Sequence, residues 1–86
     1  MRTIEFLPKA FEEYRHWIET DRKTAVRVSD LIKDTIRTPF EGIGKPEPLK
    51  HEFKGCWSRR IDHEHRLVYQ VTDLSVIIVS CYSHYR

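Results

Sequence analysis

An α+β fold, an antiparallel four-stranded sheet with an N-terminal helical hairpin packed on one face, is what this sequence predicts. Three observations predict it. Residues 8–37 carry apolar side chains at helical spacing. Residues 57–82 alternate in the manner of strands. Between them, residues 38–48 hold two glycines and three prolines, the composition of an ordered loop. A chain of 86 residues buries only about 60–65% of its unfolded surface, so one domain spanning 1–86 is expected.

The elements follow in order. Residues 2–7 read as a short strand with Ile4 and Phe6 on one face. Pro8 stops that strand and suits the first turn of a helix, where its missing N–H is not needed. The first helix runs over 8–20, with Phe11, Tyr14, Trp17 and Ile18 as its core stripe. Asp21 is placed to cap a second helix over 22–37, whose apolar stripe is Ala25, Val28, Leu31 or Ile32, and Ile36. The opposite face, with Lys23, Arg27, Asp30, Lys33, Asp34 and Arg37, is expected in solvent. The near-direct join makes the helices an antiparallel hairpin. Thr38-Pro39 ends the second helix, because the residue before proline disfavours the helical region.

The second half reads as a meander. Residues 49–54 suggest a short strand before a break at Gly55. Strands follow at 57–61, 66–71 and 76–82, with turns at 62–65 and 72–75. The order is β-α-α-β-β-β with room for one extra short strand. With the hairpin on one face, the other face of the sheet is expected to be bare and open to a ligand.

Composition narrows the function classes. No run approaches the roughly 20 apolar residues of a membrane span, and residues 1–5 lack the apolar core of a signal peptide, so a cytoplasmic protein is expected. Cys56 and Cys81 fit no metal-knuckle spacing and read as reduced thiols rather than a disulfide. Net charge is +2. Residues 1–48 balance nine Lys/Arg with nine Asp/Glu, whereas residues 49–86 carry six against four, plus four of the five histidines. The cationic excess and the groups that titrate near neutrality therefore share one half of the chain, where they would attract a polyanion.

RNA can be cut without a metal, since its 2′-hydroxyl can attack the neighbouring phosphate. The reaction needs a base, an acid for the leaving 5′-oxygen, and cationic donors for the charge on phosphorus. Arg66 opens one strand, and His84 lies just past the end of its neighbour. A tight turn at 72–75 puts Arg66 opposite residue 80 or 81, at the same end of the sheet. Glu47, on the Pro-rich loop, can swing over that end. On geometry alone this is no more than consistent with a site, and ordinary solvated charges, Arg66 pairing with Glu64 or Asp62, are the favoured reading. His63 and His65 lie in a turn with no third ligand in view, and Trp57 reads as core or partial core.

The motifs carry a resemblance. Arg37-Thr38-Pro39-Phe40-Glu41-Gly42, then Gly44-Lys45-Pro46-Glu47-Pro48-Leu49-Lys50-His51, resembles the signature loop of the YoeB branch of the RelE-type toxins, a ParE-like superfamily. So do Trp57-Ser58-Arg59-Arg60-Ile61, Glu64-His65-Arg66-Leu67-Val68-Tyr69 and the terminal Tyr82-Ser83-His84-Tyr85, and the similarity spans essentially the whole chain. The resemblance implies a RelE-like fold and a ribosome-dependent endoribonuclease that cuts messenger RNA in the ribosomal A site, needing no metal or other cofactor. It implies Glu47 as general base, His84 as general acid and Arg66 as transition-state stabiliser. Tyr85 would position substrate by stacking on a base. Lys50, Arg59 and Arg60 are weaker candidates for phosphate or ribosomal RNA contacts, and His51 could also line the site. The implied partners are a YefM-type antitoxin, a second copy of the toxin in a homodimer, and operator DNA through the antitoxin complex only. Arg86 departs from the family, which usually stops at the His-Tyr pair.

Two other functions remain open to the sequence. A non-catalytic module could occupy the ribosome, or act with an antitoxin as an operator corepressor. A nuclease could act on free RNA, although without a ribosome to orient the substrate its cutting should be slow.

Overall fold

The computed structural model describes residues 1–82. Strand β1 (Thr3–Phe6) leads into helix α1 (Pro8–Thr20), with Pro8 in its first turn. Helix α2 (Arg22–Arg37) follows after one residue. That residue, Asp21, caps α2: its carboxylate accepts from the backbone N–H of Thr24 at 3.1 Å and from the Thr24 hydroxyl at 2.8 Å. These bonds hold its pKa below the usual value. A loop then reaches the two-residue strand β2 (Glu47–Pro48) and a 3-10 turn (His51–Phe53). Strands β3 (Trp57–Arg60), β4 (Arg66–Val71) and β5 (Ser75–Ser80) follow.

The sheet differs from the expected one in count and in direction. It has five strands in the order β1-β5-β4-β3-β2, and it is mixed. β1 pairs in parallel with β5, Ile4 opposite Val76 and Phe6 opposite Ile78. The connection is the reason: the helical hairpin crosses from β1 to the opposite edge at β2, and the antiparallel run β2-β3-β4-β5 then brings the chain back alongside its first strand. The extra short strand lies at 47–48, and the region read as a strand at 49–54 forms the 3-10 turn instead. β2 ends on Pro48, which cannot donate to a ladder, and this blunts that edge of the sheet.

One core lies between the helices and the sheet. Ala10 and Trp17 from α1 and Ala25, Val28, Leu31 and Ile32 from α2 pack on Leu67, Tyr69, Val76 and Ile78. Burying each Val, Leu or Ile side chain of this set contributes about 1.5–3 kcal/mol. The α1 stripe is rotated from the expected one. Ala10 is fully buried, while Phe11 and Ile18 stay nearly half exposed at its margins. The far face of the sheet is not bare throughout, because Ser58 and Val68 are buried on it. Cys56 and Cys81 are both free thiols and both buried. Burial, and then the nearby Glu13 carboxylate, push the Cys81 thiol up to about 12, so it stays protonated. No helix among the described residues is long and apolar enough to cross a membrane.

Candidate active site

Strand alternation sorts the candidate residues by face. Trp57, Arg59, Leu67, Tyr69 and Ile78 share the face that meets the helices. Glu47 pairs with Ser58, Ser58 with Val68, and Arg60 with Arg66, so these lie on the opposite, distal face. Glu47 and Arg66 thus face the same way, two strands apart (~10 Å) and two residues along (~7 Å). Glu47 is exposed and Arg66 partly buried.

The β3–β4 turn holds Arg66 in place. Its Nη1 donates to the backbone carbonyls of Asp62 at 2.7 Å and His65 at 3.1 Å. Asp62 in turn accepts the backbone N–H groups of Glu64 (2.8 Å) and His65 (2.6 Å). Burial pushes the Asp62 carboxyl up, but these two bonds outweigh it and leave it below the usual carboxylate value. Arg66 therefore meets main-chain oxygens of the turn and no carboxylate among the described residues. Nε and Nη2 remain for a ligand, with no acceptor among the described residues.

The end of β5 arrives beside Arg66 by a route the sequence did not show. Tyr69 pairs with Ile78 but Val68 with Ser80, so Val79 is an inserted bulge residue. The bulge advances the register by one and brings Arg66 level with residue 82, not 80 or 81. Helix α1 then pins the chain there. The Trp17 indole Nε1 donates to the Cys81 carbonyl at 2.8 Å. The Glu13 carboxylate accepts from Ser80 Oγ at 3.0 Å and from the Cys81 N–H at 2.9 Å. The Tyr82 ring stacks on Trp17 with centroids 5.1 Å apart and also meets the His16 and His65 rings. His84 and Tyr85, the expected acid and stacking residue, lie outside the described residues, as does Arg86.

Lys50 is exposed at the start of the 3-10 turn, next to His51, which is also exposed and adopts a left-handed backbone (φ 60°). Arg60 is exposed on the distal face. Arg59 is a correction to the expected set of phosphate contacts. It is fully buried, and protein atoms satisfy all five of its N–H donors. Nη1 meets Asp34 Oδ2 at 2.6 Å and the Ile43 carbonyl at 3.1 Å. Nη2 meets the carbonyls of Thr38 (2.6 Å) and Glu41 (3.0 Å). Nε meets the Tyr69 hydroxyl at 3.2 Å, and that hydroxyl donates to the Pro39 carbonyl at 2.7 Å. Asp34, expected in solvent, is drawn into this network and accepts the Ile43 N–H as well. The hydrogen bond from Arg59 holds the Asp34 carboxyl below its usual value, against the opposing effect of burial. The signal for Arg59 lay in its neighbours: Trp57 and Ile61, two residues either side, are apolar and share its face.

Among the described residues no group of three or more His, Cys, Asp or Glu side chains is placed to hold a metal ion. The arrangement offers a carboxylate and a paired set of guanidiniums on one face, suited to a phosphodiester. Residues 6–85 match the family described as the YoeB-like toxin of bacterial type II toxin–antitoxin systems. The chain belongs to this family. It is 57% identical over 77 residues to the toxin YoeB of Escherichia coli (strain K12), an alignment covering 90% of this chain and 92% of that one. The structure of a YoeB dimer from Staphylococcus aureus superposes with a TM-score of 0.91 at 47% identity, covering 98% of each chain. A YoeB–YefM complex from the same organism gives a TM-score of 0.89 at 45% identity and 99% coverage of each chain. The YoeB-like loop, residues 38–48, is thus the segment that Arg59 grips and Glu47 closes.

Proposed function

We propose that this YoeB-like toxin is a ribosome-dependent endoribonuclease that cuts messenger RNA in the A site and so halts translation. The observation that carries the reading is that Glu47 and Arg66 face the same way on the distal face, with residues 80 and 81 held near Arg66 by Trp17 and Glu13. Glu47 takes the proton of the 2′-hydroxyl as the 2′-oxygen attacks the adjacent phosphorus. The bond from phosphorus to the 5′-oxygen breaks, and His84 returns a proton to that oxygen. Arg66 stabilises the charge that builds on the phosphoryl oxygens, the kind of preorganised donor that often supplies the largest single effect. Tyr85 stacks on a base, and Lys50 and Arg60 contact phosphates. No step calls for a metal. The ribosome supplies the orientation of the substrate.

The toxin acts in the cytoplasm and pairs with a YefM-type antitoxin, as the Staphylococcus aureus relative does in its complex. It forms a homodimer like that relative, and it reaches operator DNA only through the antitoxin complex. The experiment is to express the chain under tight control and map message ends on translating ribosomes. Cuts in A-site codons, with a 2′,3′-cyclic phosphate on one fragment and a free 5′-hydroxyl on the other, are expected. Intact messages with folded, ribosome-bound protein would reject catalysis in favour of a binding module. Equal cutting of naked RNA would reject ribosome dependence.

A further inference from the structure

Three consecutive residues of β3 grip the segment that carries Glu47. Ser58 pairs with Glu47 itself, the Arg60 N–H donates to the Gly44 carbonyl at 2.7 Å, and between them the Arg59 guanidinium collects the carbonyls of Thr38, Glu41 and Ile43. Arg59 points to the helix side, away from Glu47, so any effect on Glu47 runs through the main chain. A buried ion pair contributes little net stability compared with well-packed apolar side chains. What this guanidinium does provide is a planar fork that fixes carbonyls in one arrangement, which neither an apolar side chain nor lysine reproduces. The segment it fixes runs on into Lys45, a non-glycine residue held at positive φ (52°).

We infer that Arg59 is a positioning residue for Glu47: its five-bond cage folds residues 38–43 and thereby fixes where β2 presents the Glu47 carboxylate on the distal face. This rests on Glu47 being the base. A displacement of about 1 Å at a reacting group can cost on the order of 10²-fold in rate. Lysine at this position keeps the charge beside Asp34 but has three donors for five acceptors.

The test is single-turnover cleavage on programmed ribosomes with Arg59→Lys, Glu47→Gln and the double variant, alongside amide hydrogen exchange over residues 38–48. Arg59→Lys is expected to lower kcat by about 10²-fold with KM little changed, and to speed exchange in that segment. In the Glu47→Gln background the same substitution should cost almost nothing further, because the two act as one unit. An equal loss in both backgrounds, or an undiminished kcat in folded Arg59→Lys, would overturn the inference. Full activity in Glu47→Gln alone would instead overturn the base assignment. Should Arg59→Lys fail to fold, Tyr69→Phe decides. It keeps the core volume and removes only the hydroxyl between Arg59 and Pro39, and a several-fold loss of kcat confined to the Glu47 background is expected.

Discussion

Arg60 and Arg66 stand directly opposite each other across β3 and β4, both on the distal face. Like charges so placed destabilise a sheet, and neither has a carboxylate partner among the described residues. The proposed anionic ligand would relieve that repulsion. Arg66→Ala is therefore expected to lower kcat by about 10²–10³-fold, the usual cost of a lost transition-state donor. Arg60→Ala should act mainly on binding, and should reduce the slope of log affinity against log salt by about 0.7, the value for one single-strand phosphate contact. Arg60→Ala should be as stable as the parent or slightly more so, whereas in Arg66→Ala the relief of repulsion is offset by the lost bonds to the Asp62 and His65 carbonyls. Cleavage and ribosome binding across a potassium chloride series measure this. An Arg60→Ala variant with an unchanged salt slope would remove Arg60 from the phosphate contacts.

Replacing Gly42 is costly. Its φ of 121° is closed to L side chains, and a β-carbon there would overlap the Asp34 carboxylate and crowd Arg59 Nη1 at 3.3 Å. Gly42→Ala combines backbone strain of roughly 1–3 kcal/mol with damage to the Arg59–Asp34 pair, so a loss of about 4 kcal/mol or more is expected. Gly55→Ala is the control. Its φ of 97° carries strain, but nothing lies within 4 Å of the added carbon, so about 1–2 kcal/mol should be lost. Urea unfolding of the two variants compares them directly. Equal losses would mean that the cage around Arg59 contributes nothing at Gly42.

Asp34 ties stability to acid. Its folded pKa lies below the usual carboxylate value, chiefly through the hydrogen bond from Arg59. A carboxyl with a depressed folded pKa adds stability that is present above the unfolded pKa and lost as pH falls through the folded one. The acid limb of the stability curve should therefore steepen below about pH 4. Asp34→Asn should be less stable at pH 7 and lose less on acidification. Asp21 and Asp62, whose pKa values are also lowered, keep part of the slope in the variant. Equal pH slopes in the two proteins would show that Asp34 does not drive the acid transition.

How far the sequence could be read depended on how local the deciding interactions were. Pro8 and Asp21 fix helix starts within their own turns, so α1 and α2 were legible to the residue. The alternation of Arg66–Val71 likewise marks β4. The parallel pairing of β1 with β5 was not legible, because Ile4 and Val76 are 72 residues apart and nothing local distinguishes an edge from its partner. Arg59 failed as a surface cation for a related reason: its acceptors are spread over Asp34, the 38–43 segment and Tyr69. The placing of Arg66 at one end of the sheet was readable from the strand pattern, while the bulge at Val79 that sets its true neighbour was not.

Trp17 links the helical hairpin to Cys81 and Tyr82. Its ring packs against His65 and Tyr82, with centroids 4.9 and 5.1 Å away, and its indole N–H bonds the Cys81 carbonyl. Trp17→Phe keeps an aromatic ring in the core but leaves that carbonyl without its donor, which should cost about 1–3 kcal/mol. Residues 81 and 82 lead directly to His84, so the effect on cleavage should exceed the effect on folding. At a temperature where both proteins are fully folded, kcat per folded molecule should fall, whereas a purely structural role would lower only the Tm. Melting curves and single-turnover rates on the same preparations separate the two. An unchanged kcat in a destabilised Trp17→Phe protein would show that α1 supports the fold without positioning the proposed acid.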